Sequence, residues 1–177
     1  MKAVAFLRAV NVGGTGRVPM AELKALAEDI GLAEPATLLQ SGNLVFEAGG
    51  KTPDALEKLL EREIAKTFKV ETDIMVRTSR QLKAAIERNP FSKEAKNDPA
   101  RLHVHFLKTP AKPAAVAALT KAIKGPESVK GTGGEIVIYY PDGAGNSKLT
   151  NAVIERHLGA RGTSRNWNTV TKLAEMT

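Results

Sequence analysis

Arg8 and Arg17 bracket a turn that contains Gly13, Gly14 and Gly16 and runs into Pro19. Glycine takes positive φ without steric penalty, so this turn can aim several backbone N–H groups one way. A helix N-terminus behind it would favour negative charge, and two guanidiniums stand alongside. The chemistry suggested is capture of an anion, although a tight βα connection calls for the same glycines. A second such stretch runs from Pro141 through Asp142, Gly143, Ala144, Gly145 and Asn146 to Ser147 and Lys148. Here Ser147 is the expected N-cap of a helix, and Lys148 adds a cation beside the exposed amides. An ordinary turn followed by a cap has the same composition.

A third cluster is Arg165, Asn166, Trp167, Asn168 and Thr169. Arginine clamps phosphate, asparagine both donates and accepts, and an indole stacks on flat rings. The competing expectation is a core tryptophan with an asparagine capping the last helix. His103 and His105 fall on one face of a strand, but no third ligand is placed near them by spacing, so no metal site is expected. No Walker loop, dinucleotide fingerprint, Ser-His-Asp order or His-Glu-x-x-His pair is present, and no cofactor or acid–base pair is nominated.

The elements that must position these residues follow from periodicity. Residues 3–7 are apolar on both faces, as in a doubly covered strand. Met20, Leu23, Leu26, Ala27 and Ile30 recur at helical spacing and stop at Gly31. Residues 36–40 and 44–47 form a hairpin about Ser41, Gly42 and Asn43. A helix from Thr52 and Pro53 and a strand over 72–77 complete β-α-β-β-α-β, the ferredoxin-like order. Thr78 and Gln81 have capping-box spacing ahead of a further helix that must end before Pro90. From Arg101 the order starts again: strand 102–108, helix 113–124, a short run near Val129, strand 136–140 and helix 147–158. The copy ends irregularly, with 161–164 in place of a fourth strand and a closing helix through Trp167. The fold expected is α+β with two ferredoxin-like halves: residues 1–89 with an extra helix, a connector over 90–100, and residues 101–177. The first and third strands of each half are expected to be parallel. The two glycine turns then leave equivalent ends and could share one basic cleft, with the Ser41 hairpin at the opposite end.

Lysine and arginine number 26 against 19 aspartates and glutamates, a net charge of +7. That balance favours anionic partners, small molecules or nucleic acid, through an attraction that salt weakens. With no cysteine in the chain, disulfides, thiolate catalysis and cysteine-held metals are excluded. Arg8 interrupts the first apolar run too early for an export signal, and no run suits a membrane span, so a bacterial cytoplasm is expected. Oligomeric state is not set by any of these features.

The segments LRAVNVGG, QSGN, NSKLTNA and RNWNTVTKL resemble a bacterial family called domain of unknown function 1697. Its pattern has glycine where this chain has Ala9 and often isoleucine where it has Val10. The resemblance implies a cytoplasmic α+β protein with two similar subdomains and lends no activity. It places Arg8, Asn11, Gly13, Gly14, Gln40, Ser41, Gly42, Asn43, Ser147, Lys148, Leu149, Arg165, Asn166, Trp167 and Asn168 in signature segments. Together these readings give a binder of a nucleotide or single-stranded nucleic acid. Its candidate contacts are Arg8, Asn11, Gly13, Gly14 and Arg17; Ser41 and Asn43; Gly145, Ser147 and Lys148; and Arg165, Asn166 and Trp167. The alternative is a small enzyme acting on a phosphorylated or carboxylated metabolite through Ser41, Asn43 and Asn166. A third class is an oligomerising module built on paired sheets.

Overall fold

The computed structural model describes residues 1–14 and 16–177; Thr15, in the first glycine turn, lies outside the described residues. The chain divides into one unit of residues 1–83 with 173–177 and a second of residues 84–172. In the first, β1 (Lys2–Leu7), α1 (Met20–Asp29), β2 (Ala33–Thr37), β3 (Asn43–Glu47), α2 (Pro53–Phe68) and β4 (Ile74–Thr78) follow the ferredoxin-like order. The sheet order is β2-β3-β1-β4. Ala3 to Leu7 are fully buried, which is why both faces of this strand are apolar. One face packs Ala3, Ala5 and Leu7 against Leu23, Leu56, Leu60 and Ile64 of the two helices.

Helix starts follow local chemistry. The Thr52 hydroxyl accepts from Ala55 N at 3.3 Å, and Pro53 opens α2 where a missing N–H costs nothing. The capping box forms as spaced: Thr78 N donates to Gln81 Oε1 at 2.9 Å, and Gln81 N donates to Thr78 Oγ1 at 3.2 Å. It opens α3 (Ser79–Glu87). The expected connector over 90–100 carries α4 (Ser92–Asn97) and a 3-10 turn, Pro99–Arg101.

The second unit repeats the order with β5 (Leu102–Leu107), α5 (Pro113–Ala122), β6 (Ser128–Gly131), β7 (Ile136–Tyr139), α6 (Asn151–Leu158) and β8 (Gly162–Asn166). Its sheet runs β6-β7-β5-β8. The irregular ending expected at 161–164 is a regular strand, in register with β5 from His103↔Asn166 to Leu107↔Gly162. Then α7 (Trp167–Met176) follows, and its last residues belong to the first unit. Leu119, Ile136, Ile138, Leu149 and Ile154 form part of the core under α5 and α6.

Two expectations are corrected. The first and third strands are antiparallel, pairing Phe6↔Asn43 and Lys2↔Glu47 in one sheet and His105↔Ile136 in the other. The turn after β7 therefore leaves the opposite end of its sheet from the end that β5 leaves, and its counterpart in the first unit is residues 48–52. Helix α6 also starts later than expected: Thr150 is its N-cap, accepting from Val153 N at 3.4 Å, while Ser147 lies in the preceding turn.

The first glycine turn carries strain outside its glycines. Ala9 has φ +52°, a left-handed conformation that costs an L-residue about 1–2 kcal/mol. Glycine adopts it freely but loses more chain entropy on folding. We expect Ala9→Gly to raise stability by about 0.5–1 kcal/mol, read as a higher urea midpoint at unchanged slope. An unchanged or lower midpoint would contradict this account of the turn.

Candidate functional site

In the first unit the strand directions gather more residues than the sequence indicated. Asn43 is opposite Phe6, so the Ser41 hairpin lies at the end of the sheet that β1 leaves, beside the first glycine turn and not opposite it. Arg8, Asn11, Gly13, Gly14, Arg17, Ser41 and Asn43 thus share one end of this unit. Leu7 N donates to Gly42 O at 2.9 Å, and Asn11 ties turn to hairpin. The Asn11 carboxamide donates through Nδ2 to Val18 O and Gln40 O, both at 2.8 Å, and accepts from Val18 N at 2.8 Å. Asn43 is fully buried, and its Nδ2 donates to Leu38 O at 2.7 Å and Ser41 Oγ at 3.1 Å. These asparagines build the loops. The faces left open carry Arg17, Gly13 and Gly14, with Val12 and Leu39 exposed beside them.

In the second unit the other glycine turn borders a cavity of about 390 Å³. Leu119 of α5 and Ile123 just past its end, with Leu149 ahead of α6 and Val153 in its first turn, form its apolar wall. Lys124, Glu127, Asp142, Asn146, Ser147 and Lys148 form the polar side. Gly143 makes the turn possible with φ +84°. The Asn146 carboxamide donates to Asp142 O at 3.1 Å, and Leu149 N donates to Ser147 Oγ at 3.0 Å. The Ser147 hydroxyl in turn donates to Glu127 Oε1 at 2.5 Å, a short charge-assisted bond that fixes the carboxylate. Behind them the Tyr140 hydroxyl donates to Leu149 O at 3.4 Å. Burial, and secondarily the charge of Glu127, pushes the Tyr140 phenol up to about 12, so it stays a neutral donor. Gly145 is exposed on the turn with open space about it.

The third cluster is engaged in the fold. Arg165, in register with Val104 on β8, is buried and donates to Thr163 Oγ1 at 2.8 Å and Ser164 O at 2.9 Å. Burial pushes its guanidinium down to about 10. Asn166 Oδ1 accepts from Thr169 N and Thr169 Oγ1, both at 3.0 Å, and caps α7. Trp167 is 8% exposed. His105 is fully buried with Nδ1 2.7 Å from Ser164 Oγ, and His103 meets the Tyr140 ring edge-on at 5.1 Å. Burial lowers the His103 pKa, which keeps that ring neutral. Among the described residues, no three histidine, aspartate or glutamate side chains are grouped to hold a metal ion, and no helix is long and apolar enough to cross a membrane.

Sequence reasoning missed Lys124 and Glu127. Their signal was the Gly125-Pro126 turn between a helix and an edge strand, which carries a charge on each side. It reads as solvated loop until the fold brings it against Ser147.

Among curated proteins, none matches this chain. A conserved bacterial protein from Streptococcus pneumoniae has a similar structure, with TM-score 0.77 over 99% of this chain and 97% of that one, at 23% sequence identity. The likeness extends the fold to both units. The family model described as "Protein of unknown function (DUF1697)" matches residues 1–137, which includes the first glycine turn, the Ser41 hairpin and Glu127 and ends before Ser147. The chain belongs to the family of proteins of unknown function DUF1697.

Proposed function

We propose that this protein binds one small phosphorylated ligand with a flat ring, of the mononucleotide class, in the cavity of its second unit. The supporting observation is the union of an apolar wall, two lysines and the second glycine turn around about 390 Å³. Pockets for single small ligands span about 300–1,000 Å³, so this volume suits one nucleotide and is too small for a run of them. A ring would lie against Ile123, Leu149 and Val153. Phosphate would meet Lys124 and Lys148 at the N-terminal end of α6, where the helix dipole adds to the attraction. The net charge of +7 draws such a ligand in. At the first glycine turn, Arg8, Arg17 and the amides of Gly13 and Gly14 form a second candidate anion contact. Arg165, Asn166 and Trp167 enter this reading only through the stability of the fold.

Calorimetric titration with nucleoside monophosphates at low and moderate salt tests the reading. The expected result is binding that weakens with salt, and a loss of about tenfold in Lys148→Ala, the scale of one charge-assisted hydrogen bond. Lack of binding at low salt, or undiminished affinity in the variant, overturns it. A small enzyme acting on phosphorylated metabolites is the second reading, favoured by the Ser147 hydroxyl donating to a carboxylate. It predicts phosphoester turnover that Ser147→Ala abolishes.

A further inference from the structure

The cavity holds a carboxylate that the capture of phosphate alone does not call for. Glu127 is half-buried in the link between α5 and β6, and it lines the wall shared with the turn. Its Oε1 accepts the Ser147 hydroxyl, which settles which way the carboxylate lies. The position also depends on Gly125: a Cβ built there would overlap Oε2 and displace it. A carboxylate held in this way is an acceptor pair. Each oxygen carries two lone pairs, so Oε1 can take a second donor beside Ser147 while Oε2 takes another.

Among the common bases only guanine offers two adjacent donors on its pairing edge, the ring N1–H and the exocyclic N2–H. Adenine and cytosine each put an acceptor nitrogen beside their amine, and uracil has one donor between two carbonyls. Against Glu127 those acceptors would face a carboxylate oxygen, a repulsive contact away from bulk water. We propose that the cavity selects a guanine nucleotide through the Glu127 carboxylate, an inference that rests on the nucleotide reading above and narrows it to one base. A lone guanidinium presents the same two donors but has neither the flat bicycle for the Ile123, Leu149 and Val153 wall nor the phosphate for the lysines.

The experiment is a titration of the full chain with GMP, AMP, CMP, UMP and methylguanidine, repeated on two variants. In the unaltered protein GMP should bind at least about tenfold tighter than the other four, the scale of one hydrogen bond to a charged group. Glu127→Gln presents one acceptor and one donor, the complement of adenine. It should lose that preference and bind AMP at least as well as GMP. Gly125→Ala leaves the carboxylate in place chemically but pushes it aside, so GMP should fall toward the level of AMP while salt-dependent binding of both persists. Circular dichroism of each variant confirms that it is folded. Equal affinity for the four nucleotides, tighter binding of any other base or of methylguanidine, or a preference for GMP that survives in folded Glu127→Gln, overturns the guanine assignment and leaves nucleotide binding standing. Failure of all four nucleotides to bind overturns both.

Discussion

Replacing Gly42 by alanine should destabilise the first unit by about 2–5 kcal/mol, one of the largest effects open to a single methyl group in this chain. Two costs combine. Gly42 has φ +81°, where an L-residue is disfavoured by about 1–2 kcal/mol. A Cβ at this position would also come within 2.7 Å of Val10 Cγ2 and 2.8 Å of Leu7 Cβ. Both neighbours are held in the core, Leu7 fully buried and Val10 nearly so, so relief requires the hairpin and the glycine turn to part. Overpacking of this kind costs about 1–3 kcal/mol. Parting them would stretch the 2.9 Å bond from Leu7 N to Gly42 O and the Asn11 bond to Gln40 O. Gly31 supplies the control: its φ is +79°, yet a Cβ there meets nothing within 4 Å. Gly31→Ala should therefore show the backbone cost alone. Urea unfolding of the two variants measures the difference, and equal losses would mean that the close approach of Gly42 to Leu7 and Val10 carries no energy.

The same contact explains what the sequence could and could not convey. Alternating and helical periodicities place β1, α1, the hairpin and α2 in order, because those patterns are set by which side of a local element is covered. The capping box at Thr78 and Gln81 and the cap at Thr52 are legible for a similar reason: donor and acceptor are a few residues apart. Strand direction is not local in that way. Periodicity conveys the order β-α-β-β-α-β but not that the first and third strands are antiparallel, and it is this direction that puts the Ser41 hairpin beside the first glycine turn. Gly42 looks like a turn glycine, and nothing short of the register Phe6↔Asn43 says that it must also make room for Leu7.

Ser147 illustrates the other limit. Its type and position suit a helix cap, and Thr150, three residues on, is a cap former too. In the fold Thr150 caps α6, while the Ser147 hydroxyl is engaged by Glu127, twenty residues earlier in sequence. The residue types of the third cluster suit ligand contact and packing alike. The hydrogen bonds of Asn166 to Thr169 and the burial of Arg165 and Trp167 give those side chains work inside the fold.

Changing Asn11 to aspartate should destabilise the protein at neutral pH by about 2–4 kcal/mol and make its stability depend on pH in a sense opposite to that of most carboxylates. In the native turn Nδ2 donates to two carbonyl oxygens, Val18 O and Gln40 O, at 2.8 Å each. An aspartate would put a second oxygen there, facing two acceptors, while the other oxygen keeps the bond from Val18 N. The lost bonds and the carboxylate held against carbonyl dipoles account for the estimate. Backbone strain contributes little to the difference, because φ at this position is +56° and aspartate tolerates the left-handed region about as well as asparagine. Protonation supplies one O–H donor for one of the two carbonyls, so the folded state prefers the protonated acid and the carboxyl pKa rises above its unfolded value of about 3.9. The unfolded chain then binds fewer protons than the folded one over that interval, and stability falls as pH rises through the raised pKa. Relative to the parent, the variant should be least impaired below about pH 3.9 and most impaired once the folded carboxyl is ionised. Asn11→Ala removes the same donors without a titrating group and should lose stability by an amount that does not change with pH. Unfolding free energies of parent and both variants across acid to neutral pH check this directly. A flat difference for Asn11→Asp, or one that shrinks toward neutral pH, would mean that the two carbonyls do not meet at this side chain.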